Sequence, residues 1–483
     1  MELNVPNPAQ VQDNQTDAHD LSNISEQVKN ERDFRSLALR KLFNRDVPKI
    51  HHKARGKLSL QQNIQVTDLE TAISIFQSND LKKIQEVSQE LAVAAHVSPN
   101  SISLHLKSPE FLQLLANFLT NQNYPPEALI SVIKAIAEIF PLCGELQNDF
   151  VDEISMSLLD LLNSPIPDIV GATMILIRVI CSVSEYARDA VLCLGIYSRL
   201  FEITSQQISP LLTITGCQTL HAIFATDGEV DTDVINICIN SLVKFLDLPL
   251  KTEVSEILGT LIEITNKVPS LVFRLFEMGI SQKLINFLSD PELRDAALRL
   301  IGNMCVSQPE HVKELLEEHL FEHLIALFNA GHVSDSLWIF SNLLESIPEV
   351  ICPMFTGDFI QQLVQMKENC PYDVKKEIAY LLGTLITFAS DEMAVSLIRP
   401  DIVDVLVEML GCGTPLIILR CMSAIIACFH IITTTGNMQL MSAFDVEDLK
   451  DRLKDLCDFN DEMVEERAFC MLSQLEKLEE ISK

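Results

Sequence analysis

The chain has 483 residues, 48% of them apolar, and carries 67 Asp and Glu against 36 Lys and Arg, a net charge of −31. That is more chain than one compact core holds, so several domains or an elongated array are expected. The acidity argues against a nucleic-acid or anionic-membrane partner and favours a basic one.

Residues 1–24 are polar, with two prolines and many Asn, Gln and Asp, and are expected to be disordered. They lack the basic and apolar regions of a signal peptide. No uninterrupted apolar run further along approaches the length of a membrane span. A soluble intracellular protein is expected. Its thirteen cysteines are scattered from Cys143 to Cys470 with no Cys-x-x-Cys pair, so buried free thiols are expected rather than disulfides or zinc sites.

Residues 25–58 form a basic segment. Ser25 is placed to cap a helix. From Glu26 to Arg45 the pattern is helical, with Val28, Phe34, Leu37 and Leu42 apolar and Arg32, Arg35, Arg40, Lys41 and Arg45 basic. Pro48 ends it, and Lys49 to Lys57, with His51, His52, Lys53 and Arg55, reads as an extended linker. The stretch Lys29–Lys57 holds ten Lys or Arg and three acids, +7, which leaves −38 for the remainder. Two readings stand open here: a solvated charged tail, or a basic amphipathic helix that binds a partner.

From residue 64 to 483 the pattern is helical throughout, without sustained period-two alternation, and Gly is scarce at 15 residues. An all-α fold follows. The leucine of Leu-Leu-Ala-Asn-Phe-Leu at Leu115 recurs with an apolar residue three positions on. Ile73, Leu158, Leu200, Leu242, Leu284, Leu324, Leu363, Leu406 and Leu453 take its place, at intervals of 39 to 47 residues. Ten units near 42 residues lie in the armadillo/HEAT range. One such unit cannot bury its apolar face alone, whereas stacked units share a core and present a long concave surface. The expected architecture is a right-handed superhelical solenoid of about ten armadillo repeats, with a binding groove rather than a catalytic pocket.

The chemistry concentrates at Asp335 to Ser346, which holds the only tryptophan, Trp338, and Asn342 four residues on. Positions i and i+4 share one helix face. The indole offers a wall for a cation, the carboxamide can pair with a peptide backbone, and Asp335 can neutralise an ammonium. A lone helical tryptophan is in most proteins a core residue; the repeat is what favours a groove here.

The last helices of three successive repeats, Ala297–Asn303, Leu337–Asn342 and Lys375–Thr384, resemble the sixth to eighth armadillo repeats of the importin-α (karyopherin-α) family of nuclear import adaptors. That family carries Arg-x-x-x-Asn, Trp-x-x-x-Asn and Trp-x-x-x-Asn there. The resemblance implies that Arg299, Asn303, Asp335, Trp338, Asn342, Tyr380 and Thr384 form a minor site for basic nuclear-localisation signal peptides. Tyr380 and Thr384 replace the family's Trp and Asn. It further implies a degraded major site, with Lys134, Met174 and Gln218 at Trp positions and Glu138, Arg178 and Ala222 at Asn positions. Gly259 and Glu263 stand at the fifth-repeat pair. Leu39-Arg40-Lys41 resembles the centre of an importin-β-binding segment, which implies importin-β contacts by Arg32, Arg35, Arg40, Lys41, Arg45, Lys53 and Arg55. By the same resemblance the acidic last repeat, −7 over Phe444 to Lys483, could contact an export receptor, and the protein would work in cytoplasm and nucleus. The alternative is an armadillo scaffold that does not engage importin-β.

No Walker loop, Gly-x-Gly-x-x-Gly, His-Glu-x-x-His or Gly-x-Ser-x-Gly is present, and Gly411-Cys-Gly413 is an isolated loop doublet. His319-Leu-Phe-Glu-His323 matches a short zinc pattern on an expected helix, without a third ligand. Neither enzyme activity nor a cofactor is expected.

Overall fold

A computed structural model describes residues 66–121 and 123–482. The segments 1–24 and 25–58, and with them the importin-β expectation, lie outside the described residues. All described regular structure is helical. The array read as continuous from residue 64 divides into two compact units. One comprises described residues 66–280 and 290–300, the other 281–289 and 301–482.

Each repeat runs into a final helix. In chain order these are α1 (Leu81–Val97), α2 (Pro126–Ile139), α3 (Pro167–Val183), α4 (Pro210–Ala225) and α5 (Lys251–Lys267). They continue as α6 (Arg294–Met304), α7 (Val333–Ser346), α8 (Tyr372–Phe388), α9 (Pro415–Thr435) and α10 (Glu462–Ser482). Prolines open α2, α3, α4 and α9, where a missing N–H costs nothing and φ is already helical. Elsewhere side chains cap the starts. Asp80 accepts from the Lys83 N–H at 3.3 Å before α1, and Ser209 accepts from the Leu212 N–H at 3.2 Å before α4. Within the first unit α1 to α5 pack in sequence, each on the next; within the second, α7 to α10 do the same.

The recurring leucine is the buried anchor of the preceding helix in each repeat. Leu115, Leu158, Leu200, Leu242, Leu284, Leu324, Leu363, Leu406 and Leu453 are all buried, each burial contributing about 1.5–3 kcal/mol. Ile73, at the same place in the first repeat, is only half-buried, and Phe76 takes the core position. Ahead of three of these leucines, five residues earlier, the chain turns through a left-handed residue. Gly195 (φ 67) and Gly279 (φ 67) fill it ahead of Leu200 and Leu284, and His319 (φ 63) fills it ahead of Leu324. His319 therefore precedes the helix Leu320–Asn329 instead of lying on it. The two imidazoles of the short zinc pattern do not stand one turn apart on a common helix, and no metal-holding group of three His, Cys, Asp or Glu occurs among the described residues.

Helix α9 is long and apolar enough to cross a membrane by length and composition, a property that the search for uninterrupted runs passes over because Arg420 lies inside it. Most of it is buried within the second unit, against α8 and α10. All thirteen cysteines are free thiols. Burial pushes Cys143, Cys217, Cys238 and Cys428 up to about 12, which makes them inert core residues.

Two buried polar groups tie the first unit together. Arg188, with a fully buried side chain, donates to the carbonyls of Thr226 (3.3 Å), Asp227 (2.8 Å) and Glu229 (3.2 Å). It also pairs with Glu185 and Asp189 at 3.3 and 2.8 Å. The Lys267 ammonium reaches the Thr226 carbonyl as well. One guanidinium thus holds three carbonyls of a loop whose residues Asp227 to Glu229 are exposed. Near the start of the unit, His105 Nε2 meets the Thr67 carbonyl at 2.9 Å, and the ring stands edge-on to Phe111.

Candidate functional site

In the first unit the last helices are strapped to one another by side chains. His96 on α1 meets Glu138 on α2 at 2.8 Å. Arg178 on α3 donates to Gln218 on α4, whose amide donates to Glu256 on α5 at 3.4 Å. Behind them the Thr219 hydroxyl donates to the Met174 carbonyl at 3.1 Å, and the Thr226 hydroxyl to the Cys181 carbonyl at 2.6 Å. Met174 and Ala222, aligned above as groove positions, are buried core residues. Arg178 and Gln218, placed above at an Asn and a Trp position of successive repeats, stand beside each other. Gly259 lies under the His221 ring, 3.1 Å from where a Cβ would stand. Burial lowers the basicity of Arg178, and Glu256 partly offsets that. Lys134 remains exposed on α2. Donors and acceptors along this row already satisfy each other, which leaves little with which to hold a foreign peptide backbone.

In the second unit the predicted wall and amide are present, one turn apart on α7, but neither is open to solvent. Trp338 and Asn342 are each 2% exposed. The indole lies on Gly302 of α6, and the Asn342 amide donates to the Gly302 carbonyl at 3.1 Å. Asn303, next along α6, is buried. Arg299, half-buried, belongs to the other unit.

The eighth repeat departs further from expectation. The Thr384 hydroxyl is fully buried and donates to the Tyr380 carbonyl of its own helix at 2.7 Å. Tyr380 is a wall, but a cation already stands on it: the Arg420 guanidinium of α9 lies 4.9 Å from the ring centroid. The phenol donates to Glu345 at 2.8 Å and accepts from Arg420 at 3.0 Å, and Arg420 also pairs with Glu345. Burial first, then Glu345, raise the phenol far beyond its ordinary range against the pull of Arg420.

Negative charge gathers at the starts of α7 and α8. Burial pushes the Glu377 carboxyl up to about 8, and the carboxylates of Asp335 and Asp373 add to the shift, with Lys376 opposing. Asp335 itself is half-buried at the first turn of α7. Burial outweighs like charge in this shift, and Asp373 already pairs with Lys376 at 3.6 Å; a further cation beside Glu377 would favour its ionised form.

No family model and no curated protein matches the chain. Among solved structures, the crystal structure of an engineered protein from the Northeast Structural Genomics Consortium is similar over 85% of this chain and 99% of its own. Its identity is 18% and its TM-score 0.65, which bears on fold alone. A designed armadillo repeat protein matches over 48% of this chain and 99% of its own, at 17% identity and a TM-score of 0.42. Another, solved in complex with the peptide (KR)4, matches over 49% and 100%, at 18% and 0.42. The second unit, like the first, is an all-α helical stack.

In that stack the residues missed from sequence are Glu345, Glu377 and Arg420. A signal for Arg420 existed: one arginine inside the apolar helix α9, 40 residues after Tyr380 and so one repeat away, calls for a buried partner.

Proposed function

We propose that the protein is a non-enzymatic armadillo scaffold that binds a basic, extended segment of a partner protein along the last helices of its second unit. The observation that carries this reading is the acidic group at the starts of α7 and α8, where Asp335, Asp373 and Glu377 lie close enough to act on one another. A lysine or arginine of the partner would relieve that repulsion, and the net charge of −31 would steer a basic partner toward the scaffold. Calorimetric titration of the full chain with a lysine-rich peptide tests it. Saturable binding that strengthens from pH 6.5 to 8.5, with loss in Glu377→Gln, is the expected result. Equal binding of a peptide with every lysine replaced by glutamine would sink it.

A finer reading is a nuclear import adaptor working between cytoplasm and nucleus. It would carry nuclear-localisation signals, engage importin-β through Arg32, Arg35, Arg40, Lys41, Arg45, Lys53 and Arg55, and meet an export receptor at the last repeat. Only the sequence resemblance supports it, since Trp338 and Asn342 are buried and the Asn342 amide already donates to the Gly302 carbonyl. A pull-down of the full chain on importin-β separates the two readings. Retention that disappears when residues 25–58 are removed supports the adaptor; no retention leaves the scaffold.

A further inference from the structure

Three elements of the second unit converge on one guanidinium. Arg420 leaves α9 beside Gly383 of α8, where a Cβ would stand 3.3 Å from its Cγ. Its head then lies over Tyr380 at 4.9 Å and near Phe388 at 5.8 Å. Its Nη2 donates to the Tyr380 hydroxyl at 3.0 Å and to Glu345 of α7, and the same Glu345 oxygen accepts from the phenol at 2.8 Å. A carboxylate, a phenol oxygen and two aromatic rings around a planar cation make up the groups that recognise an arginine side chain in a ligand. Here the side chains of Arg420 and Glu345 are only 10% and 5% exposed, so the cradle is filled and closed.

We propose that Glu345, Tyr380 and Phe388 form a guanidinium-binding site that the chain fills with its own Arg420, which closes this rung of the stack to the cations of a peptide. The site's ligand class is an alkylguanidinium rather than an alkylammonium, because an ammonium cannot lie flat on the ring while donating to both oxygens. The assignment does not rest on the peptide-binding reading above: it concerns a site with an internal occupant, and its test uses no peptide.

Truncation in the full chain, Arg420→Ala, leaves the Glu345 carboxylate buried without its partner and the cradle vacant. Thermal unfolding is then followed against rising concentrations of n-propylguanidinium or, as control, n-propylammonium. The expected result is a saturable rise in Tm with n-propylguanidinium only, recovering most of the Tm lost on truncation, as mass action requires of a ligand bound by the folded state alone. Wild type should not respond, because its site is occupied. Glu345→Gln combined with Arg420→Ala should fold without the buried charge and should not respond either. If Arg420→Ala does not fold alone, refolding on adding n-propylguanidinium, but not n-propylammonium, is the equivalent positive result. No response of Arg420→Ala to n-propylguanidinium, or an equal response in wild type, overturns the proposal and leaves Arg420 a structural tie.

Discussion

Trp338 takes the space that a side chain at Gly302 would need: a Cβ there would stand 2.0 Å from the indole Cζ3 and 2.2 Å from Cη2. Glycine inside a helix ordinarily weakens it by about 1 kcal/mol relative to alanine. At Gly302 the balance is reversed, since the indole is buried and the Asn342 amide holds the Gly302 carbonyl. Gly302→Ala is therefore expected to lower stability by about 1–3 kcal/mol, the range for overpacked sites, and to shift the emission of the only tryptophan. Gly357, which has open space around it, serves as the control: Gly357→Ala should leave stability unchanged or slightly raised. Urea unfolding of both variants decides it, and a stabilised Gly302→Ala would refute the packing.

Arg188 is the corresponding tie of the first unit. Its guanidinium serves three carbonyls of the loop after α4 and two carboxylates. Glu185 and Asp189 are more than half exposed, so the loss falls on the charge-assisted bonds to the loop carbonyls, each worth about 1.5–3 kcal/mol. Arg188→Ala should reach that range, and Arg188→Lys should recover only part, because one ammonium cannot cover the same fan of acceptors. Limited proteolysis should find the cut first at Asp227–Glu229. Unchanged protection of that loop in Arg188→Ala would show that Lys267 suffices to hold it.

The repeat was legible because burial leaves a period: the leucines from Leu115 to Leu453 recur and all nine are buried. The turn at His319 was misread as helix because only backbone geometry distinguishes it from its neighbours; its place five residues before Leu324, like Gly195 before Leu200, was the available clue. In the first unit Lys134, Met174 and Gln218 share no side-chain chemistry, so the pattern did not mark Met174 as core or Gln218 as a strap between helices. Tyr380, placed above in a peptide site, is buried and carries the Arg420 cation from one repeat later. Pattern reading along one helix does not reach across to the next.

Glu377 makes stability depend on pH. Its carboxyl is pushed from 4.5 up to about 8 by burial, Asp335 and Asp373, so the folded state holds a proton that the unfolded chain releases. The associated stability is complete below about pH 4.5 and is lost as pH rises through about 8. Glu377→Gln carries no such proton. Compared with wild type, its Tm should be similar near pH 5 and higher at pH 8.5. Parallel Tm profiles over that range would show that the carboxyl is already ionised in the folded chain.

His105 works in the opposite direction. Burial lowers its basicity, against a raising contribution from the Thr67 carbonyl. The folded state therefore holds the imidazole neutral, with Nε2–H directed at Thr67. Its contribution is complete above the ordinary histidine range, near pH 6.5, and is lost as pH falls toward the lowered folded value. Protonation would put a charge against Phe111 in a largely apolar site. The consequence is local, because His105 touches only the first repeats. Hydrogen exchange at pH 5 should speed up selectively over Leu69–Leu106, while amides of α3 and α4 keep their protection. His105→Gln, which can keep a donor to Thr67 but does not titrate, should remove the difference between pH 5 and pH 7.5. Equal acceleration along the whole unit, or a difference that persists in His105→Gln, would place the acid sensitivity elsewhere.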